Sequence, residues 1–406
     1  MTSTQASDLS HPLSSRAVPD DWRRFADALG AAGAAILTQE SAGRDASQQA
    51  ELVQSMVYAL IAGLLSFVDG DRDHPQFLPL LNSRMRRYAT NADTVYLHAL
   101  IKGAGAYRIS GRRGTVDMLC IQIIAGENGF SEIGVCSQLV VPLRPAGAGD
   151  EIEVVISPER PDGYSGLWMQ LDPAVARQFI SVRSVAKDWN NEIDPQLAIE
   201  PLHCSIRKTR NDPLEVLERL QLAPQYMQGV TQELMGIMRT QLASCGETNR
   251  AFEVTHMLPT IAGQAYTHGV IEVGPDDAWI AECDTGPGLS YWSAQLLDFA
   301  YSTLDSTTRQ CAVNSEIGHV DPDGKIRIVV SDRDPGIANW LDKSGYSKVQ
   351  IRCRWQGVAH PEILSQVIAL DELDAALPSN VARVTPPERE ILLRKRSLGA
   401  QMRRMW

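Results

Sequence analysis

This chain has no Cys-x-x-Cys pair, no glycine-rich phosphate loop, no excess of positive charge and few aromatic residues (6%). Its seven cysteines, Cys120, Cys136, Cys204, Cys245, Cys283, Cys311 and Cys353, are widely scattered. An odd number without close spacing argues against a disulfide framework and a zinc knuckle, and for a reducing compartment. A net charge of −11 argues against a broad nucleic-acid surface, so no nucleic-acid partner is expected. The most apolar window, Leu52 to Val68, is broken by Gln54, Ser55 and Ser66. It falls short of the ~20 residues a membrane span requires, reads as a buried helix, and gives no membrane partner. Met1 to Asp20 is polar and lacks the basic start and apolar core of a secretory signal, so a cytoplasmic location is expected.

What is present is a globular composition, 44% hydrophobic and 21% charged over 406 residues, enough for two domains with helical additions. Residues 1–17, rich in Ser, Thr and Pro, read as a disordered leader. Residues 18–90 read as a helical N-terminal region, with Asp20 and Asp21 capping a helix from Trp22 to about Leu37. A second helix runs from Ala46 to Val68, where Val53, Met56, Val57, Leu60, Ile61 and Leu64 repeat at helical spacing.

From Asn91 the period changes to two. Thr94 to Ile101, Ala106 to Ser110, Val116 to Ile124, Gly134 to Leu143 and Glu151 to Ser157 read as strands, with no helix between them. This pattern assigns 91–210 to a first jelly-roll-like domain. Residues 211–262 form a helical linker with Val216, Leu217, Leu220, Met227, Val230 and Leu234 as candidate core. A second jelly-roll-like domain occupies 263–358. It contains the turn Asp321-Pro322-Asp323-Gly324 and a strand in which Val349, Ile351, Cys353 and Trp355 share one face. Residues 359–406 form a helical basic tail, with six Arg and one Lys between Arg383 and Arg404, read as docking on the acidic body. The expected fold class is mainly β: two jelly-roll-like antiparallel sandwiches with helical N-terminal, linker and C-terminal segments.

Several blocks of residues are similar to a known family. They are Asn91-Ala92-Asp93-Thr94-Val95-Tyr96, Tyr107 to Gly114, Val182-Arg183 with Asp188-Trp189 and Glu192, Asp321 to Gly324, and Asp334-Pro335-Gly336 with Asn339-Trp340-Leu341-Asp342 and Arg354-Trp355. The chain resembles the bacterial group named domains of unknown function twelve-fifty-four and twelve-fourteen over roughly residues 50 to 400. Ala92, where that family more often has Pro, is a departure. The resemblance implies a double jelly roll and supplies no catalytic residue set.

Candidate chemistry comes from polar residues at strand entries. Asp93, Tyr96, Arg113 and Asp334 are the candidate acid, base or anchor, and Asn91, Arg112, Trp189, Asn339 and Trp340 the candidate binding residues. Each has a structural alternative: Asp334-Pro335-Gly336 is a good turn, Asn339 and Trp340 can anchor a returning strand, and tryptophans fill cores. The expected function is an enzyme without an organic cofactor, acting by acid–base chemistry (a hydratase or dehydratase, isomerase or lyase) on a hydrophobic or aromatic small molecule. A non-catalytic binding or assembly module is the alternative, and the reading leaves room for a homo-oligomer. A third reading, a non-heme iron oxygenase, would use His319, Asp321 and His360. Eight His and 49 acidic residues give about one His-x-acid pair by chance, and Asp321 already opens a turn. Gly163-Tyr164-Ser165-Gly166, Ser184-Val185-Ala186-Lys187 and Gly30-Ala31-Ala32-Gly33 each lack the context of the catalytic or nucleotide motif they partly match.

Overall fold

In the central strands of this protein apolar residues occupy one face and buried polar residues the other, so both faces must be covered. A computed structural model describes residues 18–403 except 144–148, 247, 251–252, 255–260, 285 and 358–361. The first sandwich comprises β1 (Leu78–Leu81), β2 (Thr94–Lys102), β3 (Tyr107–Arg112), β4 (Met118–Ala125), β5 (Gly134–Val141), β6 (Glu151–Ser157), β7 (Leu167–Gln170), β8 (Arg177–Val185) and β9 (Gln196–Pro201). The second comprises β10 (Glu253–Val254), β11 (Gln264–Glu272), β12 (Asp277–Asp284), β13 (Tyr291–Leu297), β14 (Ala312–Asn314), β15 (Lys325–Ser331), β16 (Trp340–Asp342), β17 (Lys348–Gln356) and β18 (Glu362–Ala369).

The two units share one topology. Their five-stranded sheets run β1-β2-β8-β4-β5 and β10-β11-β17-β13-β14; their four-stranded sheets run β7-β6-β3-β9 and β16-β15-β12-β18. Every strand thus has its counterpart nine places later, including the one parallel pair among the described residues of each unit, β6 with β7 and β15 with β16. One core forms between β2, β4 and β8 and the sheet of β3 and β6, around Ile101, Ile121, Val154, Ile156 and Ile180. The other forms between β11, β13 and β17 and the sheet of β12 and β15, around Ile351, Trp355, Trp279 and Ile328. The reverse faces of the two five-stranded sheets meet, and Met118 and Cys120 pack with Tyr291 and Ile261 there.

The mainly-β reading with helical flanks holds, with adjusted limits. β1 lies before residue 91 and joins the first sheet through β2, β10 lies within the expected linker, and β18 lies in the expected tail but pairs with β12. Helix α1 spans Val18–Glu40, so Asp20 and Asp21 sit in its first turn rather than capping it. The leader 1–17 lies outside the described residues.

Helix α2 (Ala46–Gly63) starts at Asp45, whose side chain accepts from the Gln48 amide while Gln48 reciprocates. It continues into a π-helical turn, Leu64–Asp69. The stretch Ala46–Asp69 is long and apolar enough by composition to cross a membrane. Here Leu52, Met56, Ala59 and Ala62 instead share a core with α4 (Leu222–Cys245). Helix α3 (Pro213–Leu220) buries none of its residues, so Val216, Leu217 and Leu220 are not core, whereas Met227, Val230 and Leu234 of α4 are. The last helices are α5 (Leu373–Ala376) and α6 (Pro386–Met402).

Helix α4 crosses the loop after β4 at Gly229, where an added Cβ would collide with the backbone of Gly129. Alanine normally favours a helix over glycine by about 1 kcal/mol. Gly229→Ala is expected to do the opposite, destabilising by ~1–3 kcal/mol because backbone must move. Urea unfolding checks this, and a stabilised variant would contradict the close crossing.

Candidate functional site

The faces turned toward the gap between the sandwiches are polar in register. Tyr96 pairs across the ladder with Arg183 and His98 with Ser181. In the second unit Tyr266 pairs with Arg354 and His268 with Arg352. Each guanidinium lies over its tyrosine, Arg183 at 5.9 Å from the Tyr96 ring and Arg354 at 5.6 Å from the Tyr266 ring. Gln122 and Gln295 occupy matching places beside Ser181 and Arg352. The duplication thus sets Tyr-x-His on one strand and Arg on its neighbour, twice, on opposite walls.

Between these walls lies a cavity of about 140 Å³, roughly ten times the volume one water needs. Its apolar lining includes Leu81, Ile124, Phe179, Ile237 and Ile261. Its polar lining includes Tyr88, Tyr96, His98, Arg183, Glu233, Tyr266, Tyr301, Arg352 and Arg354. Helix α4 supplies Glu233, one turn beyond the Gly229 crossing. Its Oε2 accepts from the Gly129 amide at 3.1 Å and from the Tyr88 hydroxyl at 3.2 Å. Burial raises the pKa of Glu233 against the opposing pull of these bonds and of Arg87. Burial, then the Glu233 charge, lifts Tyr88 well above its usual value.

The segment carrying Tyr88 is held in a costly conformation. Tyr88 (φ 61°), Ala89 (φ 48°) and Tyr301 (φ 60°), three cavity residues, all adopt the left-handed region without being glycine. Such geometry costs on the order of 1–3 kcal/mol per residue and persists only when neighbours enforce it. They do. Arg354 Nη2 donates to the Ala89 carbonyl at 2.6 Å, Gln295 Nε2 to that of Thr90 at 2.9 Å, and the Ala89 amide to the Tyr301 carbonyl at 3.0 Å.

His98 is kept neutral: burial first, then the charges of Arg183 and Arg87, push its pKa down to about 3. The unfolded chain takes up this proton near pH 6.5, so the stabilising contribution is complete above that value and is lost as pH falls toward 3. His98→Asn is expected to make stability less acid-sensitive over that window, by at most about 1.4 kcal/mol per pH unit. Asp298, raised to about 7 by burial, acts in the opposite sense. Urea midpoints of variant and wild type at pH 7 and 5.5 therefore give the decisive difference, and equal acid sensitivity would refute the neutral buried imidazole.

Of the residues singled out from sequence, Tyr96 and Asn91 line this cavity, and the Tyr96 hydroxyl accepts from the Asn91 amide. Asp93 is buried beside it but fully engaged. Its Oδ1 accepts from Trp189 Nε1 (2.9 Å) and Asn314 Nδ2 (2.8 Å), its Oδ2 from the Tyr291 hydroxyl (2.7 Å). Asp93, with Trp189, Asn314 and Tyr291, thus forms a clamp joining the two sandwiches. Asp334 bonds the Gly336 amide and pairs with Arg389 of α6 at 2.9 Å. Arg113 is buried and spends its guanidinium on the carbonyls of Val116, Val141 and Pro142. Arg112 is exposed at the end of β3.

Asn339 brackets His319 through both backbone groups at 2.7 Å, and Trp340 packs in the core under Leu373 and Leu377. These residues hold turns and seams and do not converge with the cavity. Of the metal-site candidates, Asp321 is committed to Arg327 at 2.6 Å, and His360 lies outside the described residues. Among the described residues no three His, Cys, Asp or Glu side chains come together as a metal site.

The basic tail docks on the body, with three of its arginines inserted rather than solvated. Arg389, Arg396 and Arg403, seven residues apart, are buried. Arg389 meets Asp334, Arg396 stacks 4.3 Å from the Trp189 ring, and Arg403 pairs with Asp194 at 2.8 Å and reaches the Asp93 carbonyl.

No protein-family model matches the chain, and no curated protein does. The chain is similar to an uncharacterised protein from Burkholderia cenocepacia with a solved crystal structure. The two are 26% identical with a TM-score of 0.77, and the match covers 88% of this chain and 98% of that one. A protein from Vibrio parahaemolyticus is 12% identical with a TM-score of 0.44, over 77% of this chain and 98% of that one. The Burkholderia protein supports the fold described above, helices included.

The cavity residues that sequence reading missed include Tyr88, His98, Arg183, Glu233, Tyr266, Tyr301, Arg352 and Arg354. A signal for four of them was present: Tyr96-Leu97-His98 recurs as Tyr266-Thr267-His268, and both lie upstream of strands bearing Arg183 and Arg354. Glu233 carried none, because its helix read as a linker.

Proposed function

We propose that the protein is an enzyme that needs no organic cofactor and moves a proton on a small hydrophobic or aromatic molecule held between its two sandwiches. The observation that carries this reading is the Glu233–Tyr88 pair. A carboxyl with a raised pKa, hydrogen-bonded to a phenol on strained backbone, faces a cavity with both apolar and polar walls. A carboxyl poised nearer neutrality serves as general base or acid, and strain enforced by neighbours accumulates at working sites. The apolar and tyrosine walls suit an apolar or aromatic body, and the polar side chains among them would orient it. Isomerisation, dehydration and lyase cleavage all begin with such a proton transfer. The resemblance to the double jelly-roll domains of unknown function is part of the same proposal, and it adds no chemistry.

A test that needs no knowledge of the product is exchange of carbon-bound hydrogen with solvent. The purified protein is incubated in D2O with a panel of small ketones, unsaturated acids and aryl compounds, and deuterium uptake is read by mass spectrometry. At least one compound that raises the melting temperature is expected to gain deuterium. Binding of panel members without exchange into any of them would favour a non-catalytic binding protein.

A further inference from the structure

Among the described residues that line the cavity, three arginines stand against one carboxylate. Arg352 and Arg354 lie two residues apart on one face of β17, 2% and 4% exposed. Each makes one strong hydrogen bond to a neutral acceptor: Arg352 Nη2 to Gln241 Oε1 and Arg354 Nη2 to the Ala89 carbonyl, both at 2.6 Å. Arg352 Nε and Arg354 Nη1 are sealed from solvent and have no acceptor among the described residues.

Of the other buried arginines, Arg87 also leaves Nε and Nη1 without an acceptor among the described residues and Arg396 is held by the Ser306 carbonyl, while four differ. Arg327, Arg389 and Arg403 each face a carboxylate, and Arg113 spreads its donors over several carbonyls. Arg183 adds a third guanidinium on the opposite wall, and Glu233 is the one acidic side chain among the described lining residues. Buried charge is stable when it is paired, and a guanidinium fork fits the two oxygens of an oxyanion better than any neutral acceptor.

We propose that the molecule bound here carries an oxyanion head, a carboxylate or a phosphate, seated on Arg352 and Arg354 with its apolar body against Phe179, Ile124 and the tyrosines. The proposal rests on the cavity being a small-molecule site and narrows what that site takes. In a protein of net charge −11, a cationic interior also draws an anion away from a repelling exterior.

The test uses three probes of one shape, benzoate, phenyl phosphate and benzamide, titrated calorimetrically into the full-length protein and into Arg354→Gln and Arg352→Lys. Arg354→Gln keeps a donor for the Ala89 carbonyl, and Arg352→Lys keeps the charge, so one variant is expected to fold even if the other does not. At least one anion is expected to bind about tenfold or more tighter than benzamide, and the stronger one identifies the head group. That preference should collapse in Arg354→Gln and persist in part in Arg352→Lys. Benzamide binding as tightly as both anions would overturn the oxyanion head and leave the small-molecule cavity standing. Failure of all three to bind would overturn both.

Discussion

Replacing Glu233 with Gln is expected to slow solvent exchange into a bound compound by about 10²–10⁴-fold, the usual contribution of a general acid or base. Gln retains an oxygen for the Gly129 amide and the Tyr88 hydroxyl, so the helix crossing and the strained segment should survive. The melting temperature of the variant is accordingly expected to stay close to wild type. Tyr88→Phe removes the donor to Glu233 and leaves the carboxylate less stabilised, raising its pKa further. In wild type the exchange rate should climb as pH rises through the raised pKa of Glu233 and then level off, because only the ionised carboxylate accepts a proton. In Tyr88→Phe the rise should shift to higher pH. Deuterium uptake measured against pH for the three proteins checks all of this. An unchanged rate in Glu233→Gln would remove this carboxyl from the chemistry.

Asp93→Ala should instead destroy stability. It strands three buried donors, Trp189 Nε1, Asn314 Nδ2 and the Tyr291 hydroxyl, that come from the first sandwich and the second. Each stranded group costs roughly 1–3 kcal/mol, and the clamp also braces the turn whose carbonyl receives Arg403. A loss of about 3–5 kcal/mol follows, of the size seen when one partner of a buried charged network is removed. Scanning calorimetry should show the melting temperature falling by ~10 °C, with the two sandwiches melting less cooperatively. Catalysis in the surviving folded fraction should be near normal, because the carboxylate touches no cavity surface. Lost activity with an intact melting temperature would restore Asp93 to a catalytic role.

The contrast between these residues explains how far the sequence could be read. Alternation in Val349 to Trp355 and the Asp-Pro-Asp-Gly turn gave strands and their ends, because period and turn chemistry are local. The turn forms with Gly324 at φ 83° and its amide on the Asp321 carbonyl. The seven-residue spacing of Arg389, Arg396 and Arg403 was visible as a basic tail, and only the fold reveals that all three insert into seams.

Asp93 and Asp334 looked catalytic because a carboxylate at a strand entry can serve a substrate or a scaffold. Which it serves is decided by partners more than 50 residues away, such as Tyr291, Asn314 and Arg389. The cavity was hidden for a related reason. It forms where two sandwiches turn their polar faces together, and β17 reads from sequence only as apolar-in, arginine-out. Arg352 and Arg354 lie on the face opposite Ile351, Cys353 and Trp355, and the facing sandwich makes that side interior.

The most direct test of the cavity as the working site is an anomalous difference map from crystals soaked in 4-bromobenzoate and, in parallel, 4-bromobenzamide. Bromine density between Tyr96 and Tyr266, from at least one of the two, is the predicted result. Bromine found only elsewhere, with the space beside Glu233 empty in both soaks, would contradict it.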